Sequence, residues 1–152
     1  MHTTSLRHVF TIPLLALAFA GAVQASDMQT TPVENARVDD LTAGKNAIDS
    51  KHWAEAVASF SKVVAKNPKN ADAYNYLGYS NRWLGKYDEA FAAYGKALAL
   101  DPNHRGALEY SGIAYLKTGQ KAQAQVQLAK LQALCANCSE TEDLAKAVAA
   151  AQ

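Results

Sequence analysis

Residues 71–104, which read ADAYNYLGYSNRWLGKYDEAFAAYGKALALDPNH, contain two short apolar stripes separated by a glycine. In the first half Tyr74 and Gly78 stand at helical spacing, and Gly85 then interrupts the pattern. The second half repeats apolar side chains every three or four positions, as an amphipathic helix does. This second helix ends at Asp101, because a residue before a proline avoids helical geometry. The stretch therefore predicts a helix–turn–helix unit.

The same pattern recurs along the chain with a period of about 34 residues. Three predicted units follow: 37–70, 71–104 and 105–138. Small residues such as Gly78 and Ala90 let two antiparallel helices approach closely, since a bulky side chain at either position would separate them. The positions that keep the step are Gly44, Gly78 and Gly112; Ala56, Ala90 and Ala124; Phe60, Tyr94 and Leu128; and Pro68 and Pro102.

These residues give the chain its resemblance to a known repeat family. The middle unit resembles the tetratricopeptide repeat (TPR) at Leu77, Gly78, Gly85, Tyr87, Ala90, Tyr94, Ala97 and Pro102. The flanking units match at Gly44, Trp53, Ala56, Phe60 and Pro68, and at Gly112, Tyr115, Gly119, Ala124 and Leu128. They depart from the pattern at Ala43, Asn81, Ser111, Lys121 and Ala136. The resemblance covers nearly all of 37–138 and implies an all-α, right-handed solenoid.

The last segment, 139–152, predicts a capping helix, which brings the expected number of helices to seven. Ser139 and Glu142 have the spacing of a capping box, in which hydroxyl and carboxylate accept from free amides. Leu144 and Val148 then share one face of the helix. Because a stack of helix pairs leaves its last apolar face open, a terminal helix is expected to cover it.

The first 25 residues read as a secretory signal peptide. Arg7 precedes the apolar run VFTIPLLALAFAGAV, and small residues follow it. Cleavage is expected after Ala25, with Ala22 as the second choice, and 26–36 form a flexible leader. The alternative is an N-terminal membrane anchor, but the run is shorter than the roughly 20 residues of a membrane-spanning helix. A periplasmic or secreted protein, without membrane insertion after cleavage, is therefore predicted.

The charge balance argues against two classes of partner. The chain carries 15 basic and 14 acidic side chains, and cleavage would remove Arg7 and leave equal numbers. A neutral, mixed surface has no electrostatic footprint for nucleic acid or anionic lipid.

The two cysteines, Cys135 and Cys138, form a C-x-x-C pair after the last repeat. A disulfide is predicted, since exported proteins meet oxidising conditions, and it would stabilise the fold by roughly 2 kcal/mol. Free buried thiols are the main alternative. A redox site would require a neighbouring sheet, and a zinc site would require further ligands, which His52 and His104 do not obviously supply.

Catalytic patterns are not evident in the sequence. His52 and His104 are predicted to be solvated turn residues. The GKN tripeptide at 44–46 does not have the flanking residues of a phosphate-binding loop. We therefore predict neither enzymatic activity nor a cofactor or metal.

The resemblance implies that the first helix of each unit lines a groove for peptides or partner helices. We predict that the groove-lining positions, which share one side of each helix, are Leu41, Lys45 and Ile48; Asn75, Tyr79 and Arg82; and Glu109, Ile113 and Leu116. Tyr74, Tyr87 and Tyr94 are assigned to the core, whereas Tyr76 and Trp83 are assigned to packing with an edge contribution to the groove.

The leading interpretation is a scaffold of the bacterial cell envelope that binds a protein or peptide partner. Self-association into a homo-oligomer is the second interpretation. Some family members clamp a terminal carboxylate with Lys, Asn and Arg. Lys45, Asn75 and Arg82 imitate that set weakly, and Glu109 would oppose an anion.

Overall fold

The computed structural model describes residues 39–151. Seven α-helices and no strand occupy this range, in agreement with the predicted all-α architecture. The helices are α1 (Asp40–Asp49), α2 (Trp53–Lys66), α3 (Ala71–Trp83), α4 (Tyr87–Leu100), α5 (Arg105–Lys117), α6 (Lys121–Leu134) and α7 (Ser139–Ala150). The predicted signal peptide, 1–25, and leader, 26–36, lie outside the described residues. Within 39–151 no helix is both long and apolar enough to cross a membrane.

Local side chains decide where several helices begin. Asp39 precedes α1 and accepts from the Thr42 amide at 2.9 Å, and Asn70 precedes α3 and accepts from the Ala73 amide at 2.9 Å. Each bond satisfies an amide that has no partner inside its helix.

His104 begins α5 in the same way, so its assignment as a solvated residue was wrong. Its Nδ1 accepts from the Ala107 amide at 3.2 Å, and its Nε2 lies 3.0 Å from Asp72 Oδ1. Only 12% of its side chain is exposed. His52, in contrast, is exposed and makes no capping bond, as predicted.

The turns inside the helix pairs share one backbone conformation. Lys51, Gly85 and Gly119 stand 34 residues apart, and their φ angles are 59°, 74° and 77°. Glycine adopts this left-handed region without steric cost, whereas a side chain does not. The first unit therefore makes the same turn with a less suitable residue.

Glycines allow the close approach of paired helices that the sequence predicted. A Cβ at Gly44 would lie 2.7 Å from Phe60, and a Cβ at Gly78 would lie 2.6 Å from Tyr94. The third unit differs, because a Cβ at Gly112 would meet Leu144 of α7 at 2.6 Å. The capping helix thus occupies the space next to the last glycine.

Helix α7 closes the apolar end of the stack. Leu144 is fully buried and packs with Leu108 and Leu131, both also fully buried. The predicted capping box is wrong, because α7 begins at Ser139 itself and that hydroxyl bonds to the neighbouring Glu140 at 3.2 Å.

The turn before α7 is held by a different hydroxyl group. Thr141 Oγ1 donates to the Cys135 carbonyl at 2.6 Å and ties the first turn of α7 to the end of α6.

Candidate functional site

The nine predicted groove residues lie on α1, α3 and α5, the first helices of the three pairs. We call this set of positions the groove face: Leu41, Lys45, Ile48, Asn75, Tyr79, Arg82, Glu109, Ile113 and Leu116. Lys45 is exposed and six others are half-buried, but Asn75 and Glu109 are buried. The sequence pattern did not predict that two polar members of the face would be withdrawn from water.

An aromatic cluster forms the middle of the groove face. Trp53 and Trp83 stack with ring centroids 5.1 Å apart and planes 6° from parallel. Tyr79 packs against the edges of both rings, at 6.0 and 6.2 Å, and it lies 4.8 Å from Tyr110. Trp83 remains 51% exposed, so the cluster presents a large apolar surface to solvent.

Two cations of the groove face rest on these aromatic rings. The Arg82 guanidinium carbon is 5.1 Å from the rings of both Tyr79 and Trp83. Lys45 Nζ is 5.5 Å from the Tyr76 ring, which itself stacks on Phe60 at 5.1 Å. Such contacts restrain long side chains in one orientation. Tyr76 thus packs against the core, as predicted, and also carries a groove cation.

Buried polar atoms without partners lie beside the aromatic cluster. Asn75 is 5% exposed, and its Oδ1 accepts no hydrogen bond; Arg82 Nε is also buried without a partner. Glu109 is 8% exposed, and its carboxylate makes no hydrogen bond or salt bridge within 39–151. Buried polar groups are normally paired, so unpaired ones require a specific explanation.

The surroundings of Glu109 favour its neutral form. Burial raises the pKa of Glu109 to about 7, the charges of Asp143 and Glu140 raise it further, and Arg82 opposes them. Burial and the charge of Glu109 also raise the pKa of Tyr110 to about 12. The two side chains therefore share one electrostatic environment.

The sequence analysis missed two aromatic members of the site. Tyr110 lies 34 positions after Tyr76, so the repeat period already carried a signal for it. Trp53 opens a second helix, and its stacking on Trp83 depends on the packing of α2 against α3, which periodicity within one helix does not report.

An open cavity of about 310 Å³ extends the groove face toward α7. Ile113 and Leu116 of α5 face Ala147 and Ala150 of α7 across it. Small side chains on α7 leave this space free, and its lining is mostly apolar.

The two cysteines are free thiols in the structure, and the predicted disulfide is not formed. Cys138 Sγ donates to the Cys135 carbonyl at 3.1 Å and lies 3.3 Å from Thr141 Oγ1. Hydrogen bonding between the two thiols raises the pKa of Cys135 and lowers that of Cys138. The part of the chain described here holds no cluster of three or more metal-ligating side chains.

Sequence-family models agree with this architecture. Two models, both described as tetratricopeptide repeat, match residues 41–103 and 84–150 and together span more than half of the chain. The chain belongs to the tetratricopeptide repeat family. A comparison with curated protein sequences gives no match for this TPR protein.

Solved structures show the same fold. The TPR2B domain of yeast Sti1, in a complex with pHsp70, has a TM-score of 0.69 and 23% identity; the match covers 74% of this chain and 92% of that domain. The Arabidopsis OM64 TPR domain has a TM-score of 0.67 and 19% identity, with coverage of 72% and 90%. The Yersinia enterocolitica type III secretion chaperone SycD, in complex with a peptide of the translocator YopD, has a TM-score of 0.65 and 21% identity, with coverage of 74% and 86%.

Proposed function

We propose that this TPR protein is a non-catalytic interaction module that binds a peptide segment of a partner protein on its groove face. One observation carries the proposal: Asn75 and Glu109 are buried without partners next to the partly exposed Tyr79–Trp83 cluster. Unpaired polar groups give orientation to a ligand, and rigid aromatic surfaces give contact area, so their combination is typical of recognition sites.

Similar structures support this role. The Sti1 domain and SycD have the same fold, and each is described in a complex, with pHsp70 and with a YopD peptide. At these identities the likeness concerns the fold, so the residues that contact a ligand must be tested in this chain itself.

The proposal is tested with a display library of random dodecapeptides and the purified protein. Ile113→Arg places a long cation in the cavity next to α7, whereas Val126→Arg places one on α6 at a residue that is 54% exposed. We expect peptides enriched by the wild type to bind the Ile113 variant at least about tenfold more weakly and the Val126 variant normally. Fluorescence anisotropy gives the Kd values, and thermal melts show that both variants fold.

Two results would contradict the proposal. The library yields no enriched family, or the enriched peptides lose affinity equally on both variants. If the protein also forms concentration-dependent oligomers in ultracentrifugation, self-association becomes the better explanation of the exposed aromatic cluster.

We also propose that the protein acts in the bacterial cell envelope after export. The basic residue, apolar run and small residues of 1–25 support this location. In bacterial fractionation, the mature protein is expected in the periplasmic fraction with Ser26 as its first residue. A cytoplasmic protein that begins at residue 1 would contradict it.

The same location supports a disulfide between Cys135 and Cys138. The two thiols are already in hydrogen-bond contact, so oxidation requires little movement of the turn. Protein isolated from the envelope is expected to resist alkylation by a maleimide reagent until it is reduced. Labelling of both thiols without reduction would contradict the disulfide.

A further inference from the structure

Two acceptors on adjacent helices of the groove face point to a cationic ligand group. Asn75 Oδ1 on α3 and the Glu109 carboxylate on α5 are buried and accept no hydrogen bond from any described residue. Neither needs another acceptor, and both would gain from a donor. A buried carboxylate without a counter-charge is also destabilising, which an incoming cation would correct.

Other acids near this point already have partners. Glu140 lies 3.6 Å from Arg105, and Asp143 lies 3.7 Å from Lys146. Glu109 has no such salt bridge within the described residues, although it is the most buried of the three. The unmatched negative charge is therefore concentrated at Glu109.

The nearest groove cation is occupied elsewhere. Arg82 lies over the rings of Tyr79 and Trp83, and its charge does not reverse the rise in the pKa of Glu109. Because stacking restrains the guanidinium, Arg82 does not serve as the internal partner of Glu109.

The space beside these acceptors is bounded by tyrosines and a glycine. Tyr79 and Tyr110 follow Asn75 and Gly106 by one helical turn, and their rings lie 4.8 Å apart. A Cβ at Gly106 would lie only 3.1 Å from Asn75 Nδ2, so the glycine leaves room around the amide. Aromatic faces attract cations, and tyrosine does so while tolerating water at its hydroxyl.

We propose that the groove face recognises a lysine or arginine side chain of its peptide ligand, held by Asn75 Oδ1 and the Glu109 carboxylate beside the rings of Tyr79 and Tyr110. The inference rests on the proposed peptide binding and adds the chemistry of the anchoring residue. The acidic pair Glu140 and Asp143 on α7 favours the approach of a positive segment.

The adjacent cavity adds an apolar position to the predicted ligand. Ile113 and Leu116 follow Glu109 on α5, so they lie about 6–10 Å further along the helix at 1.5 Å per residue. In an extended peptide, side chains two positions apart are separated by about 7 Å. The ligand is therefore expected to carry an apolar residue two positions from the basic one.

The test compares matched peptides on matched variants. Peptides enriched from the dodecapeptide library are synthesised with their lysine or arginine and with glutamine in its place. The full protein is used as wild type, Glu109→Gln and Glu142→Gln, the last being an exposed acid on α7. We expect glutamine to weaken binding to the wild type and the Glu142 variant by at least about tenfold, and to the Glu109 variant by less than about twofold.

The pH dependence gives a second readout of the same contact. As pH falls from 8 to 5.5, Glu109 gains a proton, while Asp143, Glu140 and Arg82 around it keep their charges. The basic peptide should therefore bind more weakly at pH 5.5 on the wild type, and this change should be absent in Glu109→Gln.

Failure of this inference is distinguishable from failure of the proposed function. Enriched peptides that are acidic or uncharged, or a glutamine effect that is unchanged in Glu109→Gln, would overturn the cation site while peptide binding stands. A library without any enriched family would overturn both. Equal melting temperatures of the three proteins at pH 8, or a higher one for Glu109→Gln, show that the comparison is not one of misfolded chains.

Discussion

A single side chain in the first turn carries a backbone cost that glycine avoids in the other two. Lys51 has φ 59°, whereas Gly85 and Gly119 fill the equivalent positions. We expect Lys51→Gly to stabilise the protein by about 1 kcal/mol, because the left-handed conformation costs a lysine roughly that much. Urea unfolding measures the change. Lys69→Gly, in an exposed turn, is the control and should be neutral or mildly destabilising; equal effects would contradict the account.

Two glycines of the second unit should respond in opposite ways to alanine. A Cβ at Gly78 would lie 2.6 Å from the fully packed Tyr94 ring, so Gly78→Ala is expected to destabilise by about 1–3 kcal/mol. Gly95 lies inside α4 with open space around it, so Gly95→Ala should stabilise by about 0.5–1 kcal/mol. Chemical unfolding gives both values, and the same sign for both would show that the close approach does not matter.

Glu109 links the stability of the fold to pH. Its pKa is about 7 in the folded protein against 4.5 in the unfolded chain, so the folded state binds the proton more tightly. Stability therefore falls as pH rises from about 4.5 to about 7 and stays lower above this range. Glu109→Gln should melt at a higher temperature than the wild type at pH 8, and the difference should disappear at pH 4.5. A constant difference would place the effect elsewhere.

At the scale of the element, α7 completes the third unit. Leu144 fills the space at Gly112 and is fully buried, so Leu144→Ala is expected to destabilise by about 2–4 kcal/mol. Leu134 is 41% exposed at the end of α6, and Leu134→Ala should cost less than about 1 kcal/mol. Calorimetric melts compare the two. Similar losses would mean that α7 only rests on the surface.

At the scale of the whole molecule, the repeats depend on their neighbours for burial. Removal of 139–152 would expose Leu108 and Leu131, which are fully buried, and would take Leu144 away from Gly112. Because stacked repeats require a capping surface, the shortened chain should melt at a lower temperature than Leu144→Ala, as followed by circular dichroism. A chain shortened only after Ala150 serves as the control. An unchanged melt after full removal would exclude a capping role.

The sequence by itself determined the architecture and the positions of the groove face. A step of 34 residues between glycines, alanines and aromatic residues is a local property of the chain, and it predicts paired helices directly. Spacing within each first helix also places Asn75, Tyr79 and Glu109 on one side, because the helical period is the same in any context.

Only the tertiary structure decided which of these residues are buried, paired or left without a partner. Burial of Asn75 and Glu109, stacking of Trp53 on Trp83 and insertion of Leu144 beside Gly112 all depend on contacts between helices that are distant in the chain. The same holds for His104, which is shielded and bonded to Asp72 across one repeat. Desolvation and pairing are set by the neighbours that packing supplies, and the spacing of residues along a single helix does not specify those neighbours.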